Sequence, residues 1–326
     1  MAKIIENPKT YSGEELSSIF FRPMLMGPDA KELGIKIMYN MPVPTTISFW
    51  ERSTDVLKNY KSGWTGSDKS KKYQKKIDLN KVKAELGFSA EDYFSMVFEK
   101  LTGNPEVNME DLSGTHLEEA ETNLFKEAIR ESIRATMWVG NTKRTEGHNT
   151  FDGIIRKITD DIENNGEDNI TEIPVPDFSS GDTAEKLLKN MWDEAPAFLR
   201  QLRSKGELVF LVTTDIYDNY EETLDNYMLE NSYLSMQNGR SELKYKGIPV
   251  VDAQISSYLK MYSDMPESFA VLTDRNNIAL AVNTADYPGM EIKMWYNPDQ
   301  MENRQRAVFM AGCDYLLPEL LVVSYR

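Results

Sequence analysis

Five carboxylates, Asp215, Asp218, Glu221, Glu222 and Asp225, crowd into one short stretch of the chain. Helical spacing puts Asp215, Asp218, Glu222 and Asp225 on one face, where hard oxygen ligands could hold a divalent cation for a metal-dependent hydrolase acting through Asp215 and Asp218. No second carboxylate cluster, imidazole partner or phosphate-cradling glycine loop accompanies them. An acidic, solvated helix start is the better account, and Asp160 and Asp161 read the same way. The imidazoles are His116, at a helix start, and His148, in a Gly- and Asn-rich loop; neither belongs to a ligand pattern. The single cysteine, Cys313, rules out an intrachain disulfide or a thiolate metal cage. It follows Gly312 in an apolar run and reads as a small buried hydrophobe. GxGxxG, GxxxxGK[ST], GxSxG and HExxH are all absent, so no catalytic, cofactor-binding or metal-ligating residue is expected, and no enzyme.

The second chemical feature is a block of lysines. From Arg52 to Lys83 there are ten bases and three acids, a net of +7, in a chain whose 52 acids and 37 bases give −15. The remainder therefore carries −22. Such a charge balance disfavours a nonspecific duplex-DNA binder, because most of the surface would repel phosphates, while leaving room for a local basic patch. A basic segment on an acidic body fits either a polyanion or the acidic surface of another copy of the chain. No apolar stretch is long enough to cross a bilayer and no signal-peptide core follows the N-terminus, so the expected site of synthesis is the cytosol, with no membrane partner.

With 326 residues, 40% of them hydrophobic, the chain suits one or two globular domains. Residues 1–44 read as an arm interrupted by Pro8, Pro23, Pro28, Pro42 and Pro44, with a short β-like run at Ile35 to Tyr39. A long hairpin is predicted over 45–80, from TTISFW at Thr45 to Trp50 to the alternating return from Tyr73 to Leu79. Trp64 near its tip, among Gly63 and Gly66, calls for burial that one subunit does not offer. Short helices broken at Gly87 are predicted for Lys81 to Lys100, with Ser89 as a cap. The clearest helix is Thr115 to Trp138, opened by a Thr115/Glu118 capping box and closed by Gly140. Leu124 and Ile129 are expected in its buried stripe, and about 36 Å of length makes it a spine. A second, small helix follows Phe151 to Ile155.

Asp182 and Glu185 form another capping box, opening a helix that points Leu187, Leu188, Met191, Trp192, Ala195, Phe198, Leu199 and Leu202 inward and kinks at Pro196. Leu208 to Val212 (LVFLV) reads as a strand covered on both faces. The helix after it is capped by Thr214 or Asp215, with Ile216, Tyr220, Leu224 and Tyr227 inward. Further strands are predicted at Tyr245 to Val251, Phe269 to Leu272, Ile278 to Val282, Met290 to Tyr296, Arg306 to Ala311 and Leu320 to Ser324.

In this order the segments resemble one family, the major capsid proteins of tailed bacteriophages, whose Hong Kong type fold is shared by encapsulins. ELGIKIMYNMPVPTTISFW is similar to that family's N-arm entering its extended loop, and YQKKIDLNKVKAEL (Tyr73 to Leu86) to the return strand and following helix. LSGT before the long helix, FDGI at Phe151 to Ile154, ELVFLVTTDIYDNYEETLDN (Glu207 to Asn226) and the "G-x-P-V" within Tyr245 to Val251 resemble the spine helix segment and the axial domain. Met290 to Tyr296 and Arg304 to Val323 resemble the peripheral strands and the return to the axial domain.

The resemblance implies an α+β fold with an N-terminal arm (1–44), an extended β-hairpin loop (45–80), a peripheral domain with a long spine helix (81–149 and 286–315) and an axial α/β domain (150–285 and 316–326). It implies a major capsid protein, self-assembling into the hexamers and pentamers of an icosahedral shell around double-stranded DNA, in the virion and assembled in the host cytoplasm. An encapsulin-like compartment is the alternative in the same fold. Partners implied are other copies, a portal and, since arm-like sequence begins at Met1, a separate scaffolding protein or none. Intersubunit contacts are expected at Trp50, Trp64, Lys69, Lys71, Lys72, Lys75 and Lys76; cofactors are not expected.

Overall fold

The computed structural model describes residues 9–11, 33, 35–39, 45–51, 62, 71–89, 116–165, 170–176, 183–227, 243–283, 292–297, 299–300 and 302–326. In chain order the strands are β1 (Lys9–Tyr11), β2 (Lys36–Tyr39), β3 (Thr45–Glu51), β4 (Lys71–Ile77), β5 (Asn80–Ser89), β6 (Thr171–Pro174), β7 (Leu208–Val212), β8 (Lys244–Tyr245), β9 (Ile248–Asp252), β10 (Phe269–Asp274), β11 (Ile278–Asn283), β12 (Ile292–Asn297), β13 (Glu302–Tyr315) and β14 (Leu321–Tyr325). The helices are α1 (His116–Val139), α2 (Ile154–Asn165), α3 (Thr183–Glu194), α4 (Ala197–Leu202), α5 (Thr214–Tyr227) and α6 (Ser256–Leu259).

The 14-residue strand β13 organises the first sheet. One edge pairs antiparallel with β5 from Glu302↔Ser89 to Ala311↔Asn80. The other takes β12 at Ile292↔Ala307 to Asn297↔Glu302, then β11 at Ile278↔Tyr315 to Asn283↔Met310. Two strands of the expected arm complete it, β1 antiparallel to β12 and β2 parallel to β11.

β5 corrects the helices expected from Lys81. Val82 is buried and Ala84 and Leu86 are half-buried, alternating with exposed Lys81, Lys83, Glu85 and Gly87. This period of two belongs to a strand, and ten consecutive pairs with β13 outweigh the helix propensity of Lys, Ala, Glu and Leu. The helix that the resemblance placed after the return strand falls with it. Residues 90–100 and the expected cap partners of Ser89 lie outside the described residues.

The second sheet runs β6-β14-β10-β7-β9-β8. Every residue of β7 is buried, as its unbroken apolar run requires of a strand covered on both faces. β7, α5 and β9 make a parallel crossover unit. The two faces of the sheet feed different cores: Val209, Leu211, Val271 and Val323 pack with α1, α2 and the first sheet, while Leu208, Phe210, Leu272 and Val322 pack with α3 and α5. The first of these cores is continuous across the residues assigned to the two expected domains.

Helix α1 delivers the spine, with Phe125, Ile129, Ile133 and Met137 buried at four-residue intervals. The side chain of Leu124 lies outside the described residues. Gly140 ends the helix for steric reasons: a Cβ there would lie 2.2 Å from the Phe151 carbonyl oxygen and 2.5 Å from that of Thr136.

Pro196 breaks the next helix outright, separating α3 from α4. Of Phe198 and Leu199, both expected inward beyond the break, Leu199 is buried and Phe198 is 58% exposed. α5 opens at Thr214, so Thr214 and Asp215, the expected caps, lie inside its first turn; the Thr213 carbonyl oxygen accepts the backbone N–H groups of Ile216 and Tyr217 at 3.1 and 3.0 Å. Thr214 Oγ1 instead donates to Asp252, and Asp215 accepts from the Ser268 hydroxyl. No helix among the described residues is long and apolar enough to cross a membrane.

Candidate assembly interface

The predicted hairpin is present as a two-stranded ribbon, β3 against β4, in register from Thr45↔Ile77 to Glu51↔Lys71. It joins neither large sheet. A free two-stranded ribbon is marginal in water, so its order has to come from its base. There Ile77 and Leu79 are buried with Met38, Ala279, Ala281, Met310 and Leu316, and Ile47 packs half-buried against them. The chain leaves the ribbon by passing over β13 at Gly312, where a Cβ would meet the Asp78 carbonyl oxygen at 2.1 Å. Only glycine admits that crossing.

A charged junction fixes the same corner. Asp314, at the end of β13 and 7% exposed in its side chain, receives Lys75 Nζ from the ribbon at 3.3 Å and Lys157 Nζ from α2 at 3.1 Å. The Lys75 ammonium also stands 4.2 Å from the centre of the Tyr315 ring. Tyr315 in turn donates its hydroxyl to Asp161. Burial alone would lower the Lys157 ammonium, but the Asp314 charge leads a set of contacts that raise it above its ordinary value. Burial followed by the bond to Asp161 pushes the Tyr315 phenol up.

The seven contact residues expected from sequence divide as follows. Trp50 lies opposite Lys72 in the ribbon, and Lys71 opposite Glu51; the side chains of Trp50, Lys71 and Lys72 lie outside the described residues, as do Trp64 and Lys69 altogether. Lys76 is exposed and paired with exposed Asp78 at 2.6 Å. Lys75 is held inside the subunit. Local patterning carries no sign of that capture, because Asp314 and Lys157 reach Lys75 only through the packing of three elements.

The loop after the spine helix forms a second polar knot, also unforeseen. Arg144 makes a two-pronged ion pair with Asp264, with Nη2 2.8 Å from Oδ1, and stacks 3.6 Å from the centre of the Tyr262 ring. Asn141 adds a bond to Asp264 at 2.8 Å. Together these hold Asp264 below the usual carboxylate range against the upward push of burial. His148, at φ 41°, sets Nδ1 2.6 Å from the Tyr262 hydroxyl, and burial followed by the Arg144 charge lowers its pKa.

Cys313 is buried as expected, its sulfur 3.3 Å from the Asp152 carbonyl oxygen, and burial pushes its thiol up to about 12. Asp218, Glu221 and Glu222 are exposed along α5. Among the described residues no three His, Cys, Asp or Glu side chains converge as metal ligands.

No family model matches the chain and no curated protein matches it. Solved structures do. A chain of the satellite phage P4 procapsid, in a structure that includes the size determination (Sid) protein, is similar with a TM-score of 0.58 at 8% identity, over 98% of this chain and 93% of that one. A chain from the capsid of an empty GTA particle is similar with a TM-score of 0.51 at 12% identity, over 92% and 90%. A chain of Gordonia phage Cozz gives 0.51 at 10% identity, over 91% and 85%. Identities this low speak for shared architecture. The chain has the α+β fold of phage and GTA capsid proteins.

Proposed function

We propose that the chain is the major shell subunit of a tailed-phage capsid, assembling with copies of itself into hexamers and pentamers of an icosahedral shell that encloses double-stranded DNA in the virion. The observation that carries this reading is likeness to capsid chains over nearly the whole length of both partners. The ribbon supports it: among the described residues it is anchored at its base, and it gains most by lying on a neighbour. Trp50 and Trp64 would supply the apolar part of that contact, and Lys69, Lys71, Lys72 and Lys76 its orientation toward acidic neighbours.

The peripheral domain is assigned to 81–149 and 286–315 and the axial domain to 150–285 and 316–326. A net charge of −15 lets packaged DNA lie against the shell without adhering. Portal and scaffolding protein are the further partners, assembly takes place in the host cytoplasm, and the function needs no active site.

Analytical ultracentrifugation and electron microscopy of the purified chain test the proposal. Capsomers or closed particles far above 37.4 kDa are expected. A monomer persisting at high protein concentration and moderate salt overturns it.

A further inference from the structure

Two stretches of the helix layer over the second sheet carry opposite charge, and no ion pair joins them among the described residues. From Ala195 to Gly206 the chain has three bases, Arg200, Arg203 and Lys205, and no acid, in a protein where acids predominate 52 to 37. Phe198 stands 58% exposed in the same stretch, one of two large apolar side chains so placed among the described residues. Water gains nothing from an exposed phenyl ring beside cations, whereas an interface does. Within the subunit Arg203 stands 5.6 Å from the half-buried Trp192 ring, and no ion pair joins Arg203 or Lys205 to a carboxylate among the described residues. The other face is α5, with five acids and no base from Thr214 to Tyr227. Asp218, Glu221 and Glu222 are exposed, and no base pairs with them among the described residues. Half-buried Tyr217 and Leu224, four residues before and three after Glu221, add an apolar rim to the acidic face.

We propose that these faces meet between copies, Phe198, Arg203 and Lys205 of one subunit seating against Asp218, Glu221 and Glu222 of the next. The two patches differ, so the contact is heterologous and propagates head to tail until it closes as a ring. The occupant is a second copy because the chain itself supplies both halves of the charge complementarity. The inference rests on the shell-subunit reading and names the surface through which one ring contact would form.

A charge-swap experiment decides it. R203E/K205E leaves both contact patches acidic, and E221K/E222K takes the patch of Asp218, Glu221 and Glu222 from a charge of −3 to +1, so that both are basic. Each variant alone should assemble at least about tenfold less than the parent, because like charges now oppose at every contact. R203E/K205E/E221K/E222K restores opposite signs and should assemble again. An equimolar mixture of the two defective variants should also recover, but only as even-membered rings, since the two kinds must alternate. Negative-stain microscopy and sedimentation give the readout, and circular dichroism of each exposed-residue variant reports that the fold is retained. F198S, uncharged, is a second probe and should weaken assembly with unchanged melting temperature. If both two-residue variants assemble like the parent, or if the four-residue swap fails to restore a lost assembly, the pairing is wrong while the shell reading stands. If the unaltered chain never assembles, it is the shell reading that fails first.

Discussion

Lys75, placed by its sequence context among the lysines of a protruding hairpin, has its ammonium 3.3 Å from the buried carboxylate of Asp314 and 4.2 Å from the centre of the neighbouring tyrosine ring. The ribbon is thus tied to the body by charge at the point where it leaves it. Asp314 serves two cations, so losing it leaves both Lys75 and Lys157 without their carboxylate. Asp314→Asn is expected to lower subunit stability by about 1 to 3 kcal/mol, and Lys75→Met by less, since Lys157 still neutralises Asp314. Denaturant melts of the unassembled subunit measure both; equal losses would mean that Lys157 does not share the carboxylate.

The same junction has a pH signature. The folded pKa of Lys157 lies above its unfolded value near 10.5, so its contribution is complete below that pH and is lost as pH rises through the folded pKa. Between pH 10 and 12 the parent should lose more stability than Lys157→Met, and the two curves should converge at the top of the range.

His148 gives the opposite window. Its folded pKa is lowered, so the stabilisation of its neutral form is present above about 6.5 and is lost as pH falls through the folded value. His148→Asn keeps a residue that tolerates positive φ and should flatten the melting temperature between pH 7 and 5. A parent curve already flat there would remove His148 from the account.

Gly312→Ala forces a Cβ against the Asp78 carbonyl, a backbone atom that cannot swing aside. The variant is expected to lose about 2 kcal/mol or more, and protease sensitivity should rise in the ribbon while the second sheet stays protected. Ile129→Ala, in the spine helix, should cost about 2 to 4 kcal/mol by leaving a cavity in the larger core. Unchanged thermal stability in either variant contradicts the packing described.

Charge reversal of the ribbon must spare Lys75. Replacing Lys69, Lys71, Lys72 and Lys76 by glutamate should leave the circular dichroism of the subunit intact and block shell closure, because each contact is repeated in every copy. If this variant closes shells as the parent does, these lysines are a solvated surface. Adding Lys75→Glu should cost stability as well, by turning a cation of the Asp314 junction into an anion.

What the sequence determined by itself was whatever repeats over a few residues. The alternation from Thr45 and back to Leu79 specified the ribbon, the four-residue stripe through Ile129 specified the spine helix, and LVFLV specified a strand buried on both faces, because each pattern reports the geometry of burial along one element. Their order along the chain was enough for the resemblance to capsid proteins. The tertiary structure alone decided β5, Phe198 and Lys75. Residues from Asn80 to Ser89 carry good helix formers at alternating exposed positions, and only the partner β13, more than two hundred residues on, settles them as a strand. Phe198 shares an inward periodicity with Leu188 and Met191 until Pro196 interrupts the helix and turns it outward. For Lys75, charge is a property of the residue, but its partner is a property of the packing, and Asp314 comes within reach only once ribbon, spine-side helix and long strand share one corner.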